Sequence, residues 1–183
     1  MTDPSPAPEP TPGPTPEPSS AQDPGTGSDP GTGTVLTPAD EALLRRAIAL
    51  AARAVETGDA PFGSLLAGPD GTVLAEDHNT VRRDSDITAH PELKLARWAA
   101  RELDAEEAGR TTMYTSCQPC SMCAGAIMRS GLGRVVYALS TGQLVALHPE
   151  SGAWPTVPLG GPALFDEARA PVEAYYGGAA ATG

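Results

Sequence analysis

No stretch of this 183-residue chain stays apolar for long; the best run, Ala47–Ala52, stops at Arg53. A membrane-spanning helix needs about 18 such residues, so none is expected. No basic N-terminus leads into an apolar stretch either, and no secretory signal is expected. Cysteine is sparse: there are three, all within Cys117–Cys123. So compact a group is no disulfide framework and points to a reducing, cytoplasmic setting with metal-binding thiolates. Lysine is nearly missing, one residue against eleven arginines, which reads as codon usage rather than function. Twelve basic against 23 acidic side chains give a net charge of −11. That balance argues against nucleic-acid polymers, whose binding rests on Lys and Arg meeting phosphates.

Residues 1–33 lack still more: Lys, Arg, aromatics, Val, Leu and Ile are all missing. They hold ten of the 20 prolines and five acids, Asp3, Glu9, Glu17, Asp23 and Asp29. From Pro4 to Pro18 proline takes every second position, fixing its own φ and pressing its predecessor toward extended geometry. A tandem repeat follows, Asp23-Pro24-Gly25-Thr26-Gly27 and Asp29-Pro30-Gly31-Thr32-Gly33. Every proline here has an even number, so the three-residue spacing of a PxxP ligand never occurs. A disordered, acidic Pro/Gly-rich spacer is expected over residues 1–33, followed by one domain over residues 34–183. Five of the eleven negative charges belong to the spacer, which leaves −6 for the domain. A chain of that length buries about 68–70% of its unfolded surface, ample for one core.

The domain alternates helical and strand patterns. Thr37-Pro38-Ala39-Asp40 carries a hydroxyl cap and a first-turn proline. It predicts a helix to about Thr57, with Leu43, Leu44, Ala47, Ile48 and Ala51 on one stripe. Phe62–Ala67 and Thr72–Glu76 read as strands around the turn Gly68-Pro69-Asp70-Gly71. A helix over His90–Leu103, a strand over Thr111–Ser116, a helix over Cys120–Arg129 and a strand over Arg134–Leu139 come next. Short helices are expected over Thr141–Leu147 and Pro162–Ala170, and a last strand over Val172–Tyr176. Such alternation means an α/β sandwich with a partly parallel sheet.

Chemistry concentrates in Cys117-Gln118-Pro119-Cys120-Ser121-Met122-Cys123. Cys120 and Cys123, three apart at a helix start, can turn both sulfurs to one point, where the helix N-terminus favours thiolate. Further ligands must come from three histidines, two of them in twin tripeptides, His90-Pro91-Glu92 and His148-Pro149-Glu150. An amphipathic helix follows Glu92, so His90 can aim at a metal shared with the Cys120 helix while Glu92 reaches a metal-bound water. A loop composition, Ser-Gly-Ala-Trp-Pro, follows Glu150, and His148 reads as part of a surface turn. His78 reads as a strand-end histidine. A closed Cys117/Cys120/Cys123/His90 structural zinc site competes with the open catalytic one.

His90-x-Glu92 followed by Pro119-Cys120-x-x-Cys123, with 27 residues between Glu92 and Cys120, resembles the signature of the zinc-dependent cytidine deaminase-like superfamily. Ala60-Pro61-Phe62-Gly63, His78-Asn79-Thr80-Val81, Asp86-Ile87-Thr88-Ala89-His90 and Gly133-Arg134-Val135-Val136-Tyr137 resemble further blocks of its nucleobase and tRNA-adenosine branch. The resemblance covers most of Pro38–Leu139 and implies a three-layer αβα sandwich on a mixed sheet of about five strands. It implies one zinc per chain on His90, Cys120 and Cys123, a fourth position left to water, and Glu92 as proton shuttle. It places Asn79 and Phe62 against the substrate base, leaves Cys117 off the metal, and implies a homodimer or a larger assembly.

Three departures from the family pattern stand out. Pro91 replaces a small residue and removes a backbone N–H, Gln118 replaces a glutamate, and the last strand ends close to Gly183. Cys123–Ser130 resembles the tRNA branch. That branch, however, follows its next strand with a basic segment, and no Lys or Arg lies between Arg134 and Arg169. The expected activity is therefore deamination of a small nucleobase or nucleoside, of guanine or cytosine type, with no nucleic-acid partner. The alternatives are tRNA adenosine deamination and a zinc-stabilised binding module without catalysis.

Overall fold

The structure is a computed structural model that describes residues 36–152, 158–160 and 162–179. The spacer expected over residues 1–33, and Trp154, lie outside the described residues. Seven helices are described: α1 (Pro38–Glu56), α2 (Val81–Asp84), α3 (Pro91–Glu102), α4 (Ala105–Arg110), α5 (Ser121–Arg129), α6 (Thr141–Leu147) and α7 (Phe165–Ala179). Four strands, β1 (Gly63–Ala67), β2 (Val73–His78), β3 (Thr112–Cys117) and β4 (Arg134–Leu139), form one sheet in the order β2-β1-β3-β4. β1 runs antiparallel to β2 and to β3, whereas β3 and β4 are parallel.

Helix α1 starts where its residues satisfy the free amides of a first turn. Thr37 Oγ1 accepts from the Asp40 amide at 3.1 Å, and the Asp40 carboxylate accepts from the Thr37 amide at 2.9 Å. The stripe Leu44, Ala47, Leu50, Ala51 and Ala54 is buried. Neighbouring residues of a strand point to opposite faces, so Leu65 and Leu66 serve two cores. Leu65, Ala67, Tyr114 and Val136 pack with Leu44 and Leu50 of α1. On the other face, Leu66 and Met113 pack with Leu95, Ala96 and Ala99 of α3 and with Ile127 of α5. The result is a mixed sheet between two helical layers.

Gly63 sets the distance between α1 and the sheet. A Cβ there would lie 2.5 Å from the Ala47 carbonyl oxygen and 2.6 Å from Leu50 Cβ. Two expectations need correction. Val172–Tyr176 is helical, as the second half of α7, so the sheet has four strands rather than five. The short helices α2 and α4 were not anticipated. Among the described residues no helix is long and apolar enough to cross a membrane.

Candidate active site

Two helix N-termini on one side of the sheet carry the cluster. His90 is the N-cap residue of α3 and Cys120 that of α5, with Cys123 one turn further on. Neither cap side chain bonds a helix amide, so both are free to turn elsewhere. His90 Nδ1 lies 3.9 Å from Cys120 Sγ and 3.6 Å from Cys123 Sγ, and one ligand atom from each residue lies within 4.8 Å of the others. Tetrahedral zinc, with Zn–N near 2.0–2.1 Å and Zn–S near 2.3 Å, sets N···S edges of about 3.6 Å. The three side chains fit that ion. Cys117 is not in the cluster; it ends β3, paired with Leu139, and is buried.

Local charge suits a cation. The Cys120 thiol is held below its usual range, first by the hydrogen bond from Cys123 and then by His90, against the cost of burial. His90 is raised above its ordinary value, chiefly by its bond to Cys120. Burial raises the Cys117 thiol and favours its neutral form.

Glu92 sits two residues after His90, in the first turn of α3, and is 5% exposed. Its Oε1 accepts from Thr115 Oγ1 at 2.9 Å, and Thr115 Oγ1 accepts in turn from Ser64 Oγ at 2.9 Å. Thr115 and Ser64 are fully buried. Oε2 lies 3.8 Å from Cys123 Sγ. Burial pushes the Glu92 carboxyl above the usual carboxylate range, with its own amide and Thr115 pulling the other way.

Asn79 and Phe62 meet through the backbone, where the Asn79 amide donates to the Phe62 carbonyl at 2.9 Å. The next amide, Thr80, donates to Ala89 at 3.1 Å, which ties this segment to the residue before His90. Asn79 Oδ1 accepts from the Val81 amide at 3.1 Å, so the amide oxygen is engaged and the NH₂ is the side chain's remaining donor.

Residues 37–139 match the family described as the cytidine and deoxycytidylate deaminase zinc-binding region. The chain belongs to this family. A probable cytosine deaminase of Schizosaccharomyces pombe is 34% identical over 143 residues, 76% of this chain and 85% of the relative. The X-ray structure of Bacillus subtilis guanine deaminase superposes with a TM-score of 0.63 at 32% identity, covering 75% of this chain and 93% of that one. A tRNA-specific adenosine deaminase of Haemophilus influenzae is 35% identical over 101 residues, 55% of this chain and 58% of the relative. The chain thus spans less than two thirds of that last relative's length.

The departures from the family pattern have local structural consequences. Pro91 is the first residue of α3 and is buried, a place where its missing N–H costs the helix nothing. Gln118 Oε1 accepts from the Thr141 amide at 2.9 Å, so its side chain supports the start of α6. His148 ends α6 and is exposed, with Nδ1 3.1 Å from Ser151 Oγ in the 3-10 turn Pro149–Gly152. The second His-Pro-Glu tripeptide does not join the metal cluster. Sequence reasoning missed Thr115 and Ser64, whose contact depends on the register that sets Ser64 opposite Thr115.

Proposed function

We propose that this deaminase hydrolyses the exocyclic amine of a small nucleobase or nucleoside, of guanine or cytosine type, and releases ammonia. The observation that carries the reading is the buried Glu92 carboxyl set beside the His90/Cys120/Cys123 cluster. His90, Cys120 and Cys123 would hold zinc, whose Lewis acidity lowers the pKa of water from about 15.7 to about 7, roughly 12 kcal/mol of easier deprotonation. With Oε1 held by Thr115, Oε2 is the Glu92 oxygen left to take a proton. Its raised pKa suits a group that accepts a proton and then returns it. Water adds to the carbon bearing the amine, and Glu92 passes a proton to the adjacent ring nitrogen. The C–N bond then breaks, and the nitrogen departs as ammonia with the remaining proton, leaving the oxo base. The Asn79 NH₂ would donate to a carbonyl or ring-nitrogen acceptor of the base, and Phe62 would pack on its face.

The Schizosaccharomyces and Bacillus relatives support a free base as substrate. The Haemophilus relative favours a second reading, deamination of adenosine in tRNA. An ammonia-release screen over free bases, nucleosides, pterins and triazines, run beside tRNA, separates them. We expect one zinc per purified chain, lost in His90→Ala and kept in His148→Ala. Glu92→Ala should keep zinc and lose at least 10²-fold in turnover. Turnover of tRNA alone would select the second reading. Zinc binding with no turnover on any substrate would select a binding module.

A further inference from the structure

The chain's single lysine, Lys94, lies on α3 one turn after His90 and two residues after Glu92. Its ammonium meets three acceptors that bracket Asn79. These are the Asp77 carboxylate at 2.8 Å, the His78 carbonyl at 2.8 Å and the Thr80 hydroxyl at 3.3 Å. The Lys94 side chain is 23% exposed, so water competes little for these bonds. A second anchor grips the segment from its far end, where buried Asp59 accepts from the amides of Arg82 and Arg83 at 2.8 and 3.2 Å. Between the two anchors Asn79 spends its backbone N–H on Phe62 and its Oδ1 on Val81.

We infer that Lys94 is a positioning residue that fixes the Asn79 amide relative to Glu92, and so sets where the base is held. The inference rests on the proposed function for its substrate, and on this chain's own contacts for its geometry. Charge alone does not explain the choice. An ammonium offers three donors about one compact centre, which suits three acceptors on separate groups, whereas a guanidinium offers a planar fork. In a chain with eleven arginines, the lysine stands where the planar fork fits worst. Asp77 and His78 end β2, while Lys94 rides on the helix that carries His90 and Glu92. One side chain therefore couples the element that holds the proton and metal ligands to the element that reads the base.

Lys94→Met keeps the stem and removes the three donors. We expect one zinc per chain to remain, KM for the base to rise about tenfold and kcat to fall by less. Lys94→Arg should fall between Lys94→Met and the native enzyme. A merely structural defect would lower the active fraction, and with it kcat, while leaving KM alone. In an Asn79→Ala background, Lys94→Met should change KM by less than about twofold, because the group it positions is gone. Independently of activity, Lys94→Met should speed hydrogen exchange at the Asn79 and Thr80 amides while leaving α1 amides unchanged. Native KM in Lys94→Met, or an equal loss in the Asn79→Ala background, overturns the inference. If the native protein turns over no base but the exchange result holds, the proposed substrate fails and the anchoring role stands; unchanged exchange ends the anchoring role itself.

Discussion

Glu92 is only as useful as the hydroxyl that orients it. Thr115 Oγ1 donates to Glu92 Oε1 and accepts from Ser64 Oγ, both at 2.9 Å. Thr115→Val keeps the shape, frees the carboxylate to rotate and leaves the fully buried Ser64 hydroxyl without its acceptor. We expect zinc content to be unchanged and kcat to fall about ten- to a hundredfold, with Thr115→Ser within about threefold of native. Single-turnover ammonia release with metal analysis checks this; equal losses in both variants would mean that packing matters rather than the hydroxyl. A second buried carboxylate, Asp40, works for stability. The Thr37 amide first, then Arg134 and Tyr114, hold its carboxyl far below the usual range, against the cost of burial. A depressed pKa contributes stability that is complete above the unfolded value, about 3.9, and that drains away as pH falls below it. Asp40→Asn should lower Tm at neutral pH, by about 1.5–3 kcal/mol in stability, and flatten the fall in Tm between about pH 5 and pH 3. Melting curves across that range check it, and parallel curves for variant and native would remove Asp40 from the acid limb. Tyr114 is pushed up to about 12, by burial and then by Asp40, so its neutral form adds stability that is lost only in strong alkali. The His90/Cys120/Cys123 cluster and Glu92 were legible because short spacings at two helix starts, those of α3 and α5, single them out. Thr115, Ser64 and Lys94 were not, because their partners lie across strands or on another element.

At the scale of elements, the close seat of α1 on the sheet rests on a missing side chain. Gly63→Ala would drive a Cβ into the α1 backbone at Ala47 and Ala51. Helix backbone cannot yield as a flexible side chain does, so the expected loss is about 1–3 kcal/mol, read as a lower denaturation midpoint at unchanged slope. Because Gly63 adjoins Phe62 and its amide donates to Ser116 Oγ at 3.1 Å, KM for the base should rise as well. Native stability in Gly63→Ala would show that the two layers move apart freely. Most elements could be read from the chain for physical reasons that survive folding. Thr37 and Ser140 cap α1 and α6 as short hydroxyl side chains do, and the strands around Gly68–Gly71 sit where turn chemistry puts them. Asp104 also caps α4, through the amides of Glu106 and Glu107, yet six residues with only Ala108 buried carry too little periodicity to announce a helix. Val172–Tyr176 misled because Val, Ala and Tyr alternate there with other residues, as on a half-buried strand. Its described side chains are all exposed, so burial does not enforce that period. Local pairing acts instead, with Arg169 bridging Asp166 and Glu173 along the helix and lying over the Phe165 ring.

For the whole molecule, charge bears on the choice between a free base and a folded RNA as substrate. The net −11 overstates the case, since five of those charges lie in residues 1–33. What matters is where the unpaired cations lie. Within the described residues Arg45, Arg46, Arg83, Arg110, Arg134 and Arg169 each face an acid, and Lys94 is held by Asp77. Arg53, Arg82, Arg97, Arg101 and Arg129 are exposed without an ion pair, and of these only Arg97 and Arg101 share one helix, α3. Two phosphate contacts on the α3 face displace two counterions. They give a slope of about −1.8 in log K against log salt, with little affinity beyond non-specific attraction. We therefore expect tRNA at micromolar concentration and about 0.15 M salt to leave turnover of the free base unchanged, because it does not reach the site. Competition kinetics at two salt concentrations test this directly. Inhibition that persists at the higher salt, or that disappears in Arg97→Ala/Arg101→Ala while the free base is still turned over normally, would mean that the α3 face binds RNA. The second reading would then displace the first.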